Sequence, residues 1–168
     1  MNSENKQFSL LSYEITKNLD NKTIKNNGIY FTPNDVIQLC IDKIKFFELK
    51  YNIVINDILE PCCGSCEFIL SLDDYFNDKN IHGIENNSDI FKKISDLKLK
   101  NNTLTLEHKN FFFNDNNKKY DLIIGNPPYY VIHKNDINEK YHKYFDGRPN
   151  IFILFLIDCL KKLNKNGI

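Results

Sequence analysis

The sequence predicts an α/β fold, a parallel sheet with its strands flanked by helices, on three observations. Short β-type runs alternate with amphipathic helical stretches from Thr32 onward. Polar, Gly or Pro residues close each strand before the next helix begins. The 168 residues suffice for one real core and fall short of two ordinary domains.

Residues 1–27 are polar with scattered apolar positions, and read as an N-terminal arm with one short helix around 9–19. Thr32 and Pro33 then open a helix over 34–49, in which Val36, Ile37, Cys40, Ile41 and Ile44 recur at three- and four-residue steps. "IVINDILEP" is a strand stopped by Pro61, and "CCGSCEFILSLDDYF" gives a helix after a Gly-containing turn. "NIHGIENN" is the second strand, "SDIFKKISDLKL" a helix capped by Ser88, and "TLTLEHKN" the third strand. "YDLIIGN" is the fourth, followed by the strongly apolar helix "NIFILFLIDCLKKLN". Such alternation requires right-handed crossovers between parallel strands.

Lysine and arginine equal aspartate and glutamate at 22 each, so no global field draws the chain to nucleic acid or to an acidic membrane. No stretch reaches the roughly 18 apolar residues of a span, and "MNSENKQFS" lacks a signal-peptide core. An intracellular protein is expected, in cytoplasm, nucleoid or a viral factory, neither secreted nor in a membrane. The five cysteines are then reduced thiols. Cys63 and Cys66 form a lone C-x-x-C without a second pair at zinc-finger spacing, so no metal is expected.

Ligands of parallel sheets lie beyond the carboxyl ends of the strands. All four strand ends carry polar or aromatic sets. Glu60, Pro61 and Gly64 end the first, where Gly64 lets the backbone approach a ligand and the next helix offers free amides. Glu85 ends the second, about twenty residues on, where a carboxylate accepts from both hydroxyls of a ribose; taken alone it reads better as a solvated loop acid. Asn110 and Phe111 end the third, suited to the edge and face of a purine, although at least one of Phe111, Phe112 and Phe113 belongs to the core. At the fourth, the Asn126 side-chain oxygen and the Pro127 carbonyl are two acceptors for an aromatic amine. Pro128 stiffens that corner and Tyr129 offers a stacking ring, while Tyr130 has no assigned part.

"GIYFTP", "LEPCCGSCEF" and "NPPY", in that order, resemble the S-adenosylmethionine-dependent amino-methyltransferases of DNA, in their gamma-type adenine-specific group of TaqI-like enzymes. The likeness runs from about Gly28 to the end, including the Leu-x-x-x-Gly turn at Leu163 and Gly167. It implies a Rossmann-like methyltransferase sheet, with 28–168 as the cofactor-binding catalytic domain. It also implies S-adenosylmethionine held by Phe31, Thr32 and Pro33 at its methionine end, by Glu60, Pro61 and Gly64 at the turn, and by Glu85 at the ribose. Asn110 stands where the family usually has Asp, and Phe111 would pack on the cofactor adenine. Asn126, Pro127, Pro128 and Tyr129 would position a DNA adenine flipped from its duplex. Cys66 replaces a glycine-like position, which implies a tighter turn.

The same likeness implies seven strands and a downstream domain that reads DNA. About four strands precede "KNGI", so the sheet is expected to be truncated, with C-terminal strands and the recognition domain absent. The apolar "IFILFLIDCL" helix should then expose surface, and a complementing chain is the expected partner beside DNA. Two other readings share the corner: a protein-glutamine methyltransferase, and an inactive or split fragment that binds cofactor or a partner chain.

Overall fold

The computed structural model describes residues 8–18, 28–113 and 117–168. Of the expected arm, 1–7 and 19–27 lie outside the described residues, while 8–18 contain helix α1 (Leu10–Asn18). Ser12 and Ile15 of α1 are buried. Helix α2 (Asn34–Tyr51) follows Pro33 and runs two residues past its expected end. Asn52 stops it there: it adopts left-handed φ 50 and ψ 48, and its N–H bonds to the Glu48 carbonyl.

Four strands follow: β1 (Asp57–Glu60), β2 (Asn80–Glu85), β3 (Thr103–His108) and β4 (Leu122–Ile123). They lie in the order β3-β2-β1-β4 with every pairing parallel. Helix α3 (Glu67–Tyr75) connects β1 to β2, α4 (Ser88–Ile94) connects β2 to β3, and α5 (Ile151–Lys162) follows β4. The order of the strands reverses between β1 and β4, which opens a crevice above β1.

Alternate side chains of each strand serve opposite layers. Ile58 and Ile81 pack with Ile37, Ile41 and Ile44 of α2, Ile69 and Leu72 of α3, and Ile94 of α4. Leu59 and Ile84 face the other way, against Phe111, Tyr120, and Ile151 and Phe155 of α5. His82 and Tyr120 are buried on that second side, joined at 2.7 Å from Nδ1 to the hydroxyl oxygen.

Three local expectations are corrected. Asn87, not Ser88, caps α4, its side chain accepting from the Asp89 and Ile90 amides at 2.9 and 3.1 Å. That helix also ends at Ile94, because buried Asp73 takes up the chain beyond it, accepting from the Lys100 and Asn101 amides at 2.8 and 3.0 Å. Burial opposes the charge of Asp73, yet donors from Lys100, Asn102 and Asn101 outweigh it and hold the carboxyl below its usual range. Strand β1 is shorter than "IVINDILEP", since 53–56 are spent on leaving α2, and β4 keeps only Leu122 and Ile123 of "YDLIIGN".

Residues 163–168 return along β4. The Asn164 and Ile168 amides donate to the Tyr120 and Asp121 carbonyls at 2.8 Å each, and the Ile123 amide donates to the Ile168 carbonyl at 2.9 Å. Leu156 and Leu160 on α5 are exposed. Among the described residues no helix is long and apolar enough to cross a membrane.

Candidate active site

Beyond the carboxyl ends of the strands lies a cavity of ≈ 420 Å³. Its floor is the turn from β1 to α3. Gly64 there has φ +50, and a methyl group on it would touch the Phe31 ring at 3.3 Å, so the segment before α2 roofs the turn. Cys66 follows at φ 62, a left-handed conformation that a glycine would take without strain, in agreement with the glycine-like position expected of it.

Three carboxyl groups line this wall: Glu60 at 3%, Glu67 at 7% and Glu85 at 8% exposure. Glu85 Oε2 accepts from the Gly64 amide at 2.9 Å and Oε1 from the Asn87 amide at 2.6 Å, which ties the end of β2 to the turn. Burial raises its carboxyl above the usual range, opposed by the amides of Asn87, Gly64 and Asn86. Glu60 is raised well above that range by burial first, then by Cys63 and by the carboxylates of Glu85 and Glu67. Its Oε2 is buried with no hydrogen-bond partner. An orphaned carboxyl oxygen among other carboxyl groups fits a ligand that brings positive charge and hydrogen-bond donors.

At the third strand end, residues 111–113 form a short 3-10 turn and not an alternating strand. The Asn110 side-chain oxygen starts the turn by accepting from the Phe112 amide at 3.0 Å. Phe111 is buried and lines the cavity, stacked on Phe155 with ring centroids 5.3 Å apart, whereas Phe113 is exposed. At least one core phenylalanine is expected there; Phe111 is buried and Phe112 packs partly against the same core, and the turn, not strand alternation, selects them.

The fourth end forms the corner at 126–130. The Asn126 Nδ2 donates to the Tyr30 carbonyl at 3.1 Å. A carbonyl only accepts, so the contact fixes which way the amide faces: one of the two Nδ2 hydrogens goes to Tyr30, and Oδ1 is the acceptor of the corner. Gly28, at φ +59, packs on the same corner, where a methyl group would meet the Tyr129 amide nitrogen at 2.7 Å.

Of the residues singled out in the sequence, Phe31, Thr32, Glu60, Pro61, Gly64, Glu85, Asn110, Phe111, Asn126 and Pro128 line the one cavity. Pro33, Pro127 and Tyr129 do not. Pro33 instead precedes α2, its carbonyl accepting from Ile37, and Tyr129 is 51% exposed beside Phe152. Tyr130, which had no assigned part, does line the cavity, as do Tyr30 and Glu67. The available signals were the tyrosine inside "GIYFTP" and an acid in the first turn after "CCGSC". Among the described residues no group of three or more His, Cys, Asp or Glu is placed to hold a metal ion.

A parallel sheet with its cavity at the switch in strand order makes this a Rossmann-like, doubly wound α/β fold. Within that class the chain belongs to the Eco57I restriction-modification methylase family, whose model matches residues 2–168. Methylases of this family use S-adenosylmethionine. The type II methyltransferase M.CvrRI of Paramecium bursaria Chlorella virus XZ-6E is 32% identical over 126 residues, 75% of this chain and 31% of that protein. The modification methylase CviBIII of Paramecium bursaria Chlorella virus NC1A is 30% identical over 166 residues, 96% of this chain and 41% of that protein. The chain thus spans less than half the length of these relatives. Among solved structures, it overlays in part on coclaurine N-methyltransferase bound to N-methylheliamine and SAH. The TM-score is 0.48 and the identity 16%, over 92% of this chain and 43% of that one.

Proposed function

We propose that this chain supplies the methyl-donor site and the target-base site of a DNA methyltransferase acting on the exocyclic amino group of adenine. The observation that carries the reading is the Asn126 amide, whose orientation is fixed by one Nδ2 hydrogen on the Tyr30 carbonyl, so that its Oδ1 is presented as an acceptor at the cavity. An aromatic amine matches such a corner because it offers hydrogens, and because it becomes a better nucleophile when they are engaged.

S-adenosylmethionine, when bound, supplies a methyl group on an electrophilic sulfonium. The acidic wall fits that cation and its ammonium group. Glu85 keeps lone pairs beyond its two amide contacts for the ribose hydroxyls, and Phe111 offers a buried ring face to the adenine. Phe31, against Gly64, and Thr32 would hold the methionine end from the cavity wall, while Pro33, outside the lining, serves to start α2. Asn126 on the cavity wall, with the Pro127 carbonyl next to it, would hold the target amine, and Tyr129, half exposed outside the lining, would receive the face of the flipped base. The bound cofactor would supply the methyl and leave as the neutral thioether, while Asn126 would steady the amine as its surplus proton passes to solvent.

Zero net charge gives no long-range pull on DNA. The surface that reads a DNA sequence is therefore assigned to residues outside this stretch, in the same polypeptide or a complementing chain.

The test pairs calorimetry with S-adenosylmethionine and transfer of its labelled methyl group to duplex DNA. Glu85→Ala is expected to weaken cofactor binding by about tenfold or more, while Asn126→Ala holds it within about threefold and abolishes label on adenine. Equal loss of cofactor affinity in both variants would overturn the division into two sites.

A further inference from the structure

We propose that helix α1 is a clasp on the cofactor cavity, closed through Glu67, so that α1 docking and the seating of a cationic ligand reinforce each other. The inference rests on the cofactor reading above.

Ser9 begins α1, its hydroxyl accepting from the Ser12 amide at 3.1 Å. In a capping box, a carboxylate three residues further on would return a bond to the main-chain N–H of the first residue. That position is Ser12, which has no carboxylate. Glu67 takes the part from 58 residues away, its Oε1 accepting from the Ser9 N–H at 3.1 Å. The same oxygen accepts from the Ser12 hydroxyl, which also lies 2.7 Å from the hydroxyl of Ser65. Ser12, Ser65 and Glu67 are all buried.

Glu67 and Ser65 also line the cavity, beside Glu60 and Glu85. Lys109, a lysine of the lining, is 3.7 Å from Glu107, outside the lining. One carboxyl group therefore completes the cap of α1 and forms part of the wall that would meet a ligand cation. Whatever fixes the Glu67 side chain for one purpose makes the other less costly, and the coupling is reciprocal.

The test uses the 168-residue chain as wild type, Ser12→Ala and Glu67→Gln. Hydrogen exchange is followed over residues 10–18, and affinities are measured for S-adenosylmethionine and for S-adenosylhomocysteine, which lacks the sulfonium charge. In the wild type, S-adenosylmethionine slows exchange in α1. Ser12→Ala speeds that exchange and weakens S-adenosylmethionine by about five- to tenfold. Glu67→Gln retains an acceptor for α1, so exchange stays near wild type while the preference for the charged ligand falls. Faster exchange in Ser12→Ala with unchanged affinity would reduce the clasp to a structural contact and overturn the inference. So would wild-type α1 exchange that ignores bound cofactor, and that measurement decides the matter if Ser12→Ala does not fold. Wild type that binds neither ligand would remove the cofactor reading and this inference with it.

Discussion

Glu60, Glu67, Glu85 and Phe111 stand on the floor and wall of the cavity as buried side chains, each fixed by the core around it. Asn126 and Tyr129 stand at the mouth, held chiefly through backbone: the Tyr30 carbonyl orients the amide, and Gly28 lets two segments of main chain approach closely. The two regions tolerate change differently because burial makes a side chain costly to delete, whereas a backbone contact is indifferent to side chains and intolerant of added atoms.

The largest test of that contrast is a pair of ring deletions. Phe111→Ala removes a buried ring stacked on Phe155 and should cost about 3–5 kcal/mol in denaturant unfolding. Tyr129→Ala, at the mouth, should stay within about 0.5 kcal/mol. Comparable losses would mean that the corner is as deeply built as the floor.

Gly28→Ala reverses the logic, since it deletes nothing. At φ +59 with the Tyr129 nitrogen 2.7 Å from the new methyl, it should lower stability by about 1–3 kcal/mol. Faster hydrogen exchange at residues 126–130, without change in α3, would locate the effect. Uniform loosening of the sheet would contradict the assignment.

The gentlest probe is a titration of the ligand-free chain. Burial raises Glu60 and Glu85 above the ordinary carboxylate range, so the folded state binds protons that the unfolded state has already lost. Their contribution is complete below the ordinary range of glutamate and is lost as pH rises through the raised folded values. Glu60→Gln should flatten that decline, measured as melting temperature against pH. An unchanged slope would show that Glu60 is not the group that titrates.

Strand ends were legible in the sequence because Gly64, Glu85, Asn110 and Asn126 interrupt apolar runs where a parallel sheet must deliver its ligand sites. Local contests were harder to read. Asn87 and Ser88 are both good caps, and only the backbone path decides between them. The early end of α4 depends on Asp73, in a different helix. The partnership of Glu67 with Ser9 and Ser12 spans more than fifty residues and has no periodicity to betray it. Tyr129 fitted its motif, yet its ring is half exposed beside Phe152 while its backbone packs on Gly28, an arrangement that no spacing encodes.

The return of residues 163–168 along β4 bears on self-association. An uncovered sheet edge is a template for another chain, and at β4 the Tyr120, Asp121 and Ile123 backbone groups are already paired by Asn164 and Ile168. The opposite edge, β3, carries Glu107 with Lys109 just beyond it, and strands bearing such charges pair poorly with copies of themselves. One edge is closed by the chain's own backbone and the other guarded by charge, so the small sheet resists growing by stacking edge to edge.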